Sequence, residues 1–329
     1  MNLFHQPVPT VALCIVLCFA STLQAPAAGS GSGQDSQPSQ ALRVAAVQLQ
    51  IRQSDLVSFA AFRSHIEAIV SRCMEYEPDL IVFPEYTSVF LALVPYHALI
   101  QASESAEEGL ARISDQDPLI DGFRDLFLLN SGLVERAMEE IFASLARRYG
   151  IAIIAGTYFA WSGTEQAALV NRLVVYDGNG RVSYTQDKVY LTPFEEQPLG
   201  ISAGSLDRAR PIVLQGYEVG ITICRDTFFP AWLQVHSGVD LWIDIKANGT
   251  AFTQEERERF LRAVPARIRE GGIPYGLTVC LTGSLLDLLW EGQSSLAGLD
   301  PVEGTRFVEK AGSATGEEIL FLSIERRGE

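Results

Sequence analysis

The feature that most constrains the fold is an alternation of short apolar segments, rich in β-branched residues, with longer segments of helical periodicity. Apolar runs of about four to eight residues bounded by turn residues are typical of buried strands, and apolar spacings of three and four are typical of helices. The alternation predicts an α/β protein. The predicted strands are residues 43–48, 79–83, 151–156, 171–176, 181–187, 217–223, 240–245 and 275–281, and the predicted helices are residues 57–76, 134–149 and 254–269.

Two local signals define the ends of predicted elements. Thr253 precedes the helix 254–269, and Glu255 and Glu256 follow in its first turn, which is typical of a helix N-cap. The segment Asp177-Gly178-Asn179-Gly180 lies between two strand-like runs and predicts a hairpin turn.

Cys224 stands at the end of the predicted strand 217–223. A polar and aromatic segment ending in Pro230 follows it, so the sequence predicts a strand, a sharp turn and a helix. Open α/β proteins place their chemistry at the C-terminal ends of strands. The thiol of Cys224 is therefore predicted to lie at that edge of the sheet.

Glu85 and Lys188 follow two other predicted strands in the same way. Taken singly, each of the three residues has an ordinary interpretation: a buried Cys usually packs in the core, and a lone Glu or Lys usually faces solvent. Together they supply a nucleophile and two partners that can handle protons. The set favours catalysis over three unrelated structural roles.

These residues and their flanks resemble the nitrilase, or carbon–nitrogen hydrolase, superfamily, whose catalytic triad is Glu-Lys-Cys. The resemblance covers nearly the whole chain after its first residues, and its motifs follow one another in the family's order. The matching segments are Leu42–Gln48, Phe83-Pro84-Glu85, Asn171-Arg172-Leu173, Lys188–Glu196, Ala266–Glu270 and Glu317–Leu320.

The resemblance implies a four-layer α-β-β-α sandwich formed by one carbon–nitrogen hydrolase domain, residues 42–329. It implies a catalytic triad of Glu85, Lys188 and Cys224. Three supporting groups are also predicted: Glu196 as the family's second Glu, the backbone N–H of Arg225 as an oxyanion donor, and Asn248.

The sequence departs from the family pattern near the triad. Tyr190 occupies a position that is often His, and Arg225 occupies one that is commonly aromatic. Asn248 is retained, but the Trp that often follows it is replaced. These departures leave the triad intact and the substrate open.

The segment 86–133 separates Glu85 from the next predicted helix. It contains the apolar run Val89–Tyr96. One interpretation is core packing of a helix, which is the common role of such runs. The other is an apolar lid that admits a hydrophobic acyl chain or touches a membrane.

Composition and charge exclude several classes of function. The chain has 329 residues, 47% of them hydrophobic, which is sufficient for a sizeable core. Its formal net charge of −15 opposes binding to nucleic acid or to anionic lipid. The glycine-rich segment 29–33 follows no strand, so it is interpreted as a linker rather than a phosphate-binding loop.

The first residues are interpreted as a leader outside the fold. Residues 8–23 are largely apolar, and Ala25-Pro26-Ala27 supplies the small residues of a cleavage site, although no Lys or Arg precedes the apolar stretch. Residues 1–27 are predicted to be a signal peptide and residues 28–41 a flexible linker. The protein is expected to be exported to the periplasm or secreted, with cleavage of the leader left open.

Cysteine and histidine usage bears on cofactors. Without the leader the chain has Cys73, Cys224 and Cys280, an odd number, so at least one thiol has no intrachain partner. Cys73 and Cys280 are predicted to be core residues. The few histidines form no zinc-binding pattern, and the predicted chemistry requires no cofactor and no metal.

Three functions from different classes remain open. The leading one is an exported thiol hydrolase that cleaves a non-peptide linear amide C–N bond through a Cys thioester. The second is an N-acyltransferase, because the segments at Thr192–Glu196 and Cys224–Pro230 also resemble the catalytic domain of apolipoprotein N-acyltransferase. The third is a non-catalytic binding member of the same fold. The expected partner is a small amide or acyl substrate, with no nucleic acid, and the resemblance implies a homo-oligomer.

Overall fold

The computed structural model describes residues 41–163, 168–300 and 302–326. The predicted signal peptide, and the predicted linker up to residue 40, lie outside the described residues. The strands are β1 (Leu42–Ile51), β2 (Leu80–Val82), β3 (Ala152–Trp161), β4 (Leu169–Tyr176), β5 (Val182–Asp187), β6 (Ile212–Leu214), β7 (Tyr217–Ile223), β8 (Leu241–Lys246), β9 (Tyr275–Leu285), β10 (Leu288–Trp290), β11 (Ser295–Asp300), β12 (Gly304–Lys310) and β13 (Glu318–Ile324). The α-helices are α1 (Phe59–Met74), α2 (His97–Gln101), α3 (Ala106–Gln116), α4 (Phe123–Met138), α5 (Ser144–Tyr149), α6 (Pro193–Glu196), α7 (Trp232–Val235), α8 (Gln254–Leu261) and α9 (Val264–Gly271).

Two groups of strands with matching organisation make up the sheet. The first has the order β13-β1-β2-β3-β4-β5, with β1, β2 and β3 parallel and the outer pairings antiparallel. The second has the order β12-β11-β9-β8-β7-β6, with β9, β8 and β7 parallel. The C-terminal ends of β1 and β9 pair with each other and join the two groups. Both sets of parallel strands therefore end near this junction.

Alternating side chains of the strands enter two different cores. In β1, Val44 and Ala46 belong to the core between the two groups of strands, whereas Ala45 and Val47 pack towards α1. This alternation follows from the two-residue period of a strand, and strands buried on both faces are apolar throughout. On the opposite outer face, Trp242 of β8 packs with α7 and α9. The molecule is thus the expected four-layer α-β-β-α sandwich.

The strands predicted from the sequence are all present, and two of the three helical predictions need correction. The helix predicted at 134–149 begins earlier, at Phe123, because α4 continues through a π-helical turn, Glu139–Ala143, into α5. The segment 254–269 forms two helices, α8 and α9, rather than one. Pro265 has no N–H to donate to the carbonyl of Leu261, and its ring would clash with that carbonyl in a continuous helix. The chain therefore leaves helical geometry at Ala263, and Pro265 stands in the first turn of α9, where proline is tolerated. Thr253 caps α8 as predicted, with its side chain accepting a hydrogen bond from the N–H of Glu256.

The apolar run within segment 86–133 packs in the core. Val89–Tyr96 forms a 3-10 helix, and the side chains of its first six residues are buried. They join the same outer core as α1 and α4. Core packing is therefore the interpretation that the structure shows.

Cys73 and Cys280 are fully buried and free, as predicted for core residues. Among the described helices, none is both long enough and apolar enough to cross a membrane.

His65 of α1 joins two distant parts of the chain through two carboxylates. Its Nδ1 lies 2.9 Å from Asp55 Oδ2, and its Nε2 lies 2.6 Å from Glu317 Oε2, just before β13. Burial alone would lower the pKa of His65, but the two carboxylates outweigh it and raise the pKa to about 9. The charged imidazolium, which can donate to both carboxylates, is therefore the form favoured by folding.

This contact predicts a stability change at alkaline pH. The stabilisation by His65 is fully present below its unfolded pKa of about 6.5 and is lost as the pH rises through about 9. Thermal unfolding of the wild type and of His65→Gln, followed between these values, should show a smaller decline in Tm for the variant. His97→Gln is the control and should decline like the wild type. Parallel curves for His65→Gln and wild type would contradict the role of this contact.

Candidate active site

Cys224 lies where β7 ends and a short 3-10 helix, Cys224–Phe228, begins. Its backbone φ is 51°, a left-handed conformation that non-glycine residues rarely adopt and that is concentrated at functional sites. The turn leaves the side chain partly exposed at a pocket of about 520 Å³. Cys280 and Cys73 are buried, so Cys224 is the most accessible thiol of the described residues.

Glu85 follows β2 and is completely buried. Its Oε1 accepts hydrogen bonds from Lys188 Nζ at 2.8 Å and from Asn171 Nδ2 at 2.9 Å. Its Oε2 accepts one from the backbone N–H of Ala247 at 2.9 Å. These donors stabilise a buried carboxylate that would otherwise be costly.

The loop that carries Glu85 depends on a glycine in the neighbouring strand. Gly156 of β3 has φ +71°, and a Cβ there would lie 2.1 Å from the carbonyl oxygen of Pro84. Only glycine permits this conformation together with so close an approach. The next residue, Thr157, accepts a hydrogen bond from the N–H of Tyr86, which also has a positive φ. β3 therefore holds the Glu85 loop in position.

Lys188 follows β5 and is buried between two carboxylates. Its Nζ lies 2.8 Å from Glu85 Oε1 and 2.8 Å from Glu195 Oε2. The backbone N–H of Lys188 donates to the carbonyl of Asn171, which fixes the end of β5 against β4. Glu85 is positioned by the end of β2, and Glu195 is positioned by the segment that follows β5. Both carboxylate partners of the Lys188 ammonium group are therefore held in place.

The glutamate that contacts Lys188 is Glu195 and not Glu196, the neighbour predicted for this position. Glu195 is the third residue of α6, where it forms a capping box with Thr192 and is fully buried. It also accepts hydrogen bonds from Tyr86 Oη at 3.0 Å and Asn171 Nδ2 at 2.9 Å. Glu196 is rotated by about 100° around the helix, and its side chain is exposed.

Contacts across the site connect the segment after Lys188 to the turn after Cys224. The carboxylate of Asp226 accepts hydrogen bonds from the N–H groups of Val189 and Tyr190, at 3.2 Å and 2.7 Å. The ring of Tyr190, at the position where the family often has His, stacks on Phe229 with centroids 3.6 Å apart. The two strand ends are therefore held in a fixed relative position.

The end of β8 connects the backbone of Cys224 to Glu85. Nζ of Lys246 donates to the carbonyl oxygen of Cys224 at 3.2 Å, and the next residue, Ala247, donates its N–H to Glu85. Lys246 is buried and pairs with the buried carboxylate of Asp244 at 2.7 Å. This second buried ion pair beside Cys224 was not predicted from the sequence.

A signal for Lys246 was present in the sequence. The chain contains only three lysines, and Lys246 is the last residue of the largely apolar β8, at the C-terminal end of a strand where functional groups gather. Asn171 was part of a recognised motif but was not assigned to the site. Its side-chain amide contacts both Glu85 and Glu195.

The pKa values of the two glutamates move in opposite directions. Burial raises the pKa of Glu85, and the nearby charge of Glu195 contributes to the rise. Burial has the same tendency at Glu195, but Lys188 and its other hydrogen-bond donors outweigh it and lower the pKa of Glu195. Such a separation assigns different roles to neighbouring carboxyl groups. The site thus favours the ionised form of Glu195 and disfavours that of Glu85.

The surroundings of the Cys224 thiol raise its pKa above the usual value. Burial and the charge of Glu85 raise its pKa to about 12, although Lys246 and Lys188 oppose the rise. Because the thiolate is the nucleophilic form, attack requires a base that accepts the proton as the bond forms. Of the two carboxylates whose charges raise the pKa of Cys224, Glu85 has the larger effect and Asp244 the smaller.

Arg225 and Asn248, the other predicted supporting residues, both line the pocket beside Cys224. The N–H of Arg225 lies in the first turn of a 3-10 helix, where backbone donors have no partner within the helix. Its side chain donates to the carbonyl of Leu191. The side-chain amide of Asn248 donates to the carbonyls of Glu291 and Thr250, so it shapes the wall of the pocket.

The acidic side chains of the site are engaged by protein donors. Glu85 and Glu195 share Lys188, and Asp244 pairs with Lys246. Within residues 41–163, 168–300 and 302–326, no group of three or more His, Cys, Asp and Glu side chains is placed to hold a metal ion.

Comparison with known proteins agrees with this fold. The carbon-nitrogen hydrolase family profile matches residues 43–253, so the chain belongs to the carbon-nitrogen hydrolase family. No curated protein sequence matches the chain.

Solved structures of low sequence identity share the fold. A carbon-nitrogen hydrolase from Helicobacter pylori G27 is 17% identical, with a TM-score of 0.59 over 87% of this chain and 90% of that one. Nit3 from Saccharomyces cerevisiae, a member of branch 10 of the nitrilase superfamily, is 19% identical, with a TM-score of 0.59 over 87% and 90%. A mutant amidase from Nesterenkonia sp. AN1 is 19% identical, with a TM-score of 0.59 over 89% and 94%.

Proposed function

We propose that this protein is a thiol amidase that cleaves a linear, non-peptide amide C–N bond through a thioester on Cys224. The observation that carries the proposal is the partly exposed Cys224 in a strained turn, with its backbone carbonyl connected through Lys246 and Ala247 to the buried Glu85. A nucleophile with an adjacent base that is itself oriented by a third group is the arrangement used in nucleophilic catalysis.

The residues divide the reaction between them. Glu85 accepts the proton of Cys224 as the sulfur attacks the amide carbonyl carbon, and then returns it to the nitrogen as the C–N bond breaks. Lys188 and the N–H of Arg225 stabilise the negative charge that develops on the carbonyl oxygen. Glu85 next deprotonates a water molecule that attacks the thioester, which releases the acid and restores the thiol.

A structural relative supports the covalent step. In a mutant of the amidase from Nesterenkonia sp. AN1, the acetamide moiety of fluoroacetamide is covalently added at the active-site cysteine. The shared fold makes Cys224 the corresponding candidate here, because it is the accessible thiol at the end of a central parallel strand.

Trapping the acyl-enzyme tests the proposal directly. The protein is mixed with a short amide such as butyramide, quenched in acid and analysed by intact mass and peptide mapping. We expect a hydroxylamine-sensitive acyl adduct on the peptide that contains Cys224, because the thioester is an obligatory intermediate. Cys73→Ala, which removes a remote buried thiol, should form the adduct, and Cys224→Ala should not.

Other outcomes would identify the alternative functions. Turnover by Cys224→Ala at the wild-type rate would refute the nucleophile assignment. An acyl-enzyme that persists in water and is discharged only by an added amine would make the protein an acyltransferase. A thiol that takes up no acyl group from any member of an amide and ester panel would favour a binding role.

A further inference from the structure

The pocket beside Cys224 is rich in positive charge. Its lining includes Arg225, Lys246, Arg259 and Arg262, and one acidic residue, Glu256. The whole chain carries a formal net charge of −15. A local surplus of positive charge in a concave site of an acidic protein concentrates anions there.

Two of these cations are already neutralised by partners. Lys246 pairs with Asp244 at 2.7 Å, and Arg259 pairs with Glu256 at 3.2 Å. Their charges are therefore largely compensated within the protein. The uncompensated positive charge of the pocket therefore comes from the other two arginines, Arg225 and Arg262.

Arg225 and Arg262 have no carboxylate partner within the described part of the chain. The guanidinium of Arg225 donates to the carbonyl of Leu191 and lies over the ring of Phe229, 5.8 Å from its centroid. These contacts hold the side chain in place without neutralising it. Arg262 has no ion pair among the described residues and its side chain is exposed at the rim. Both guanidinium groups are available for an external anion.

The rest of the lining indicates the size and polarity of the ligand. A volume of about 520 Å³ lies within the range of small-molecule sites. Phe228, Phe229 and Phe260 supply apolar walls to the same pocket. A ligand that matches these features has a reacting group at Cys224, an apolar part and an anionic group.

We propose that the pocket selects amides whose end remote from the scissile bond carries an oxyanion, a carboxylate or phosphate-type group, recognised by Arg225 and Arg262. Guanidinium groups form paired, charge-assisted hydrogen bonds with such groups. This inference rests on the proposed amidase function, because it names the class of amide that the same site accepts.

Matched probes test the charge of the substrate. Glutaramate, glutaramide and 5-aminopentanamide present the same primary amide with a negative, neutral or positive remote end. We expect kcat/KM for glutaramate to exceed that for glutaramide by about tenfold or more, as a charge-assisted contact provides. The cationic amide should be the poorest substrate. This preference should shrink as the salt concentration rises. Comparison of 4-phosphonobutanamide with glutaramate shows which oxyanion is preferred.

A substitution at the rim assigns the preference to specific residues. Arg262→Gln should bring the ratio between glutaramate and glutaramide towards one. Arg257→Gln is the matched control, because Arg257 is an exposed arginine of the neighbouring α8 that does not line the pocket. It should leave the ratio unchanged. An equal fall in the ratio for both variants would mean that general surface charge, rather than the pocket, sets the preference, and would overturn the proposal.

A binding measurement separates this inference from the proposed function. Dissociation constants of glutaramate and glutaramide are measured with Cys224→Ala, which needs no chemistry. We expect at least about tenfold tighter binding of glutaramate. Equal affinities, or no binding of either probe, would overturn the oxyanion proposal even if the acyl-enzyme forms. Selective binding without any acyl-enzyme in the wild type would instead overturn the amidase function.

Discussion

Lys188→Met is expected to lower kcat/KM for amide hydrolysis by at least about a thousandfold and to destabilise the protein by about 3–5 kcal/mol. The loss of activity follows because the ammonium group can no longer stabilise the developing oxyanion. The loss of stability follows because Glu85 and Glu195, both fully buried, would share no cation. Single-turnover kinetics and denaturant unfolding measure the two effects.

A double variant separates the two roles of Lys188. Lys188→Met/Glu195→Gln removes the cation together with one of its two carboxylates, so part of the stability should return while activity stays low. Lys310→Met, at an exposed lysine, is the control and should resemble the wild type. Full activity in the double variant would show that Lys188 is needed only for folding.

Glu85→Gln is expected to lower kcat by about a thousandfold or more, because in the proposed mechanism Glu85 transfers the proton in both acylation and thioester hydrolysis. The side-chain amide of this variant cannot accept the proton of the Cys224 thiol. That proton is firmly held, because the surroundings raise the pKa of Cys224 to about 12. Glu196→Gln is a close control, since Glu196 is exposed and contacts neither Lys188 nor Glu85 among the described residues. Steady-state and burst kinetics distinguish the two half-reactions.

The pH profile provides an independent measure of the role of Glu85. The base must be ionised, and burial raises its pKa above the usual 4.5. In the wild type, kcat/KM should therefore fall as the pH drops below a midpoint that lies above 4.5. Glu85→Asp should retain this acidic limb, and Glu85→Gln should lose it. If kcat/KM of Glu85→Gln still fell at acidic pH as in the wild type, the proton transfers would belong to another group.

The sequence was sufficient for the parts of the site that depend on local patterns. Glu85 and Cys224 each follow an apolar strand, β2 and β7, and Lys188 follows the more polar β5. Functional groups in α/β proteins gather at the C-terminal ends of strands. The strands themselves could be predicted because burial on both faces requires continuous apolar runs. Which residues lie at strand ends is therefore determined by patterns of a few neighbouring residues.

The elements that could not be predicted depend on contacts between distant parts of the chain. β11 and β12 form the outer antiparallel pair of the second group of strands, and their sequences are only partly apolar. Partly exposed strands lack a continuous apolar run, and their pairing is decided by distant neighbours. The break between α8 and α9 was local, at Pro265, and the prediction overlooked it.

The sequence by itself determined the alternation of strands and helices, the three candidate catalytic residues and the acidic character of the chain. Tertiary structure decided which of two adjacent glutamates reaches Lys188, because the capping box of α6 turns Glu195 inwards and leaves Glu196 in solvent. It also placed Lys246 against Cys224, through the pairing of β7 with β8. Local patterns fix the direction of a strand and where it ends, whereas the partner that a side chain meets depends on elements far away in the sequence.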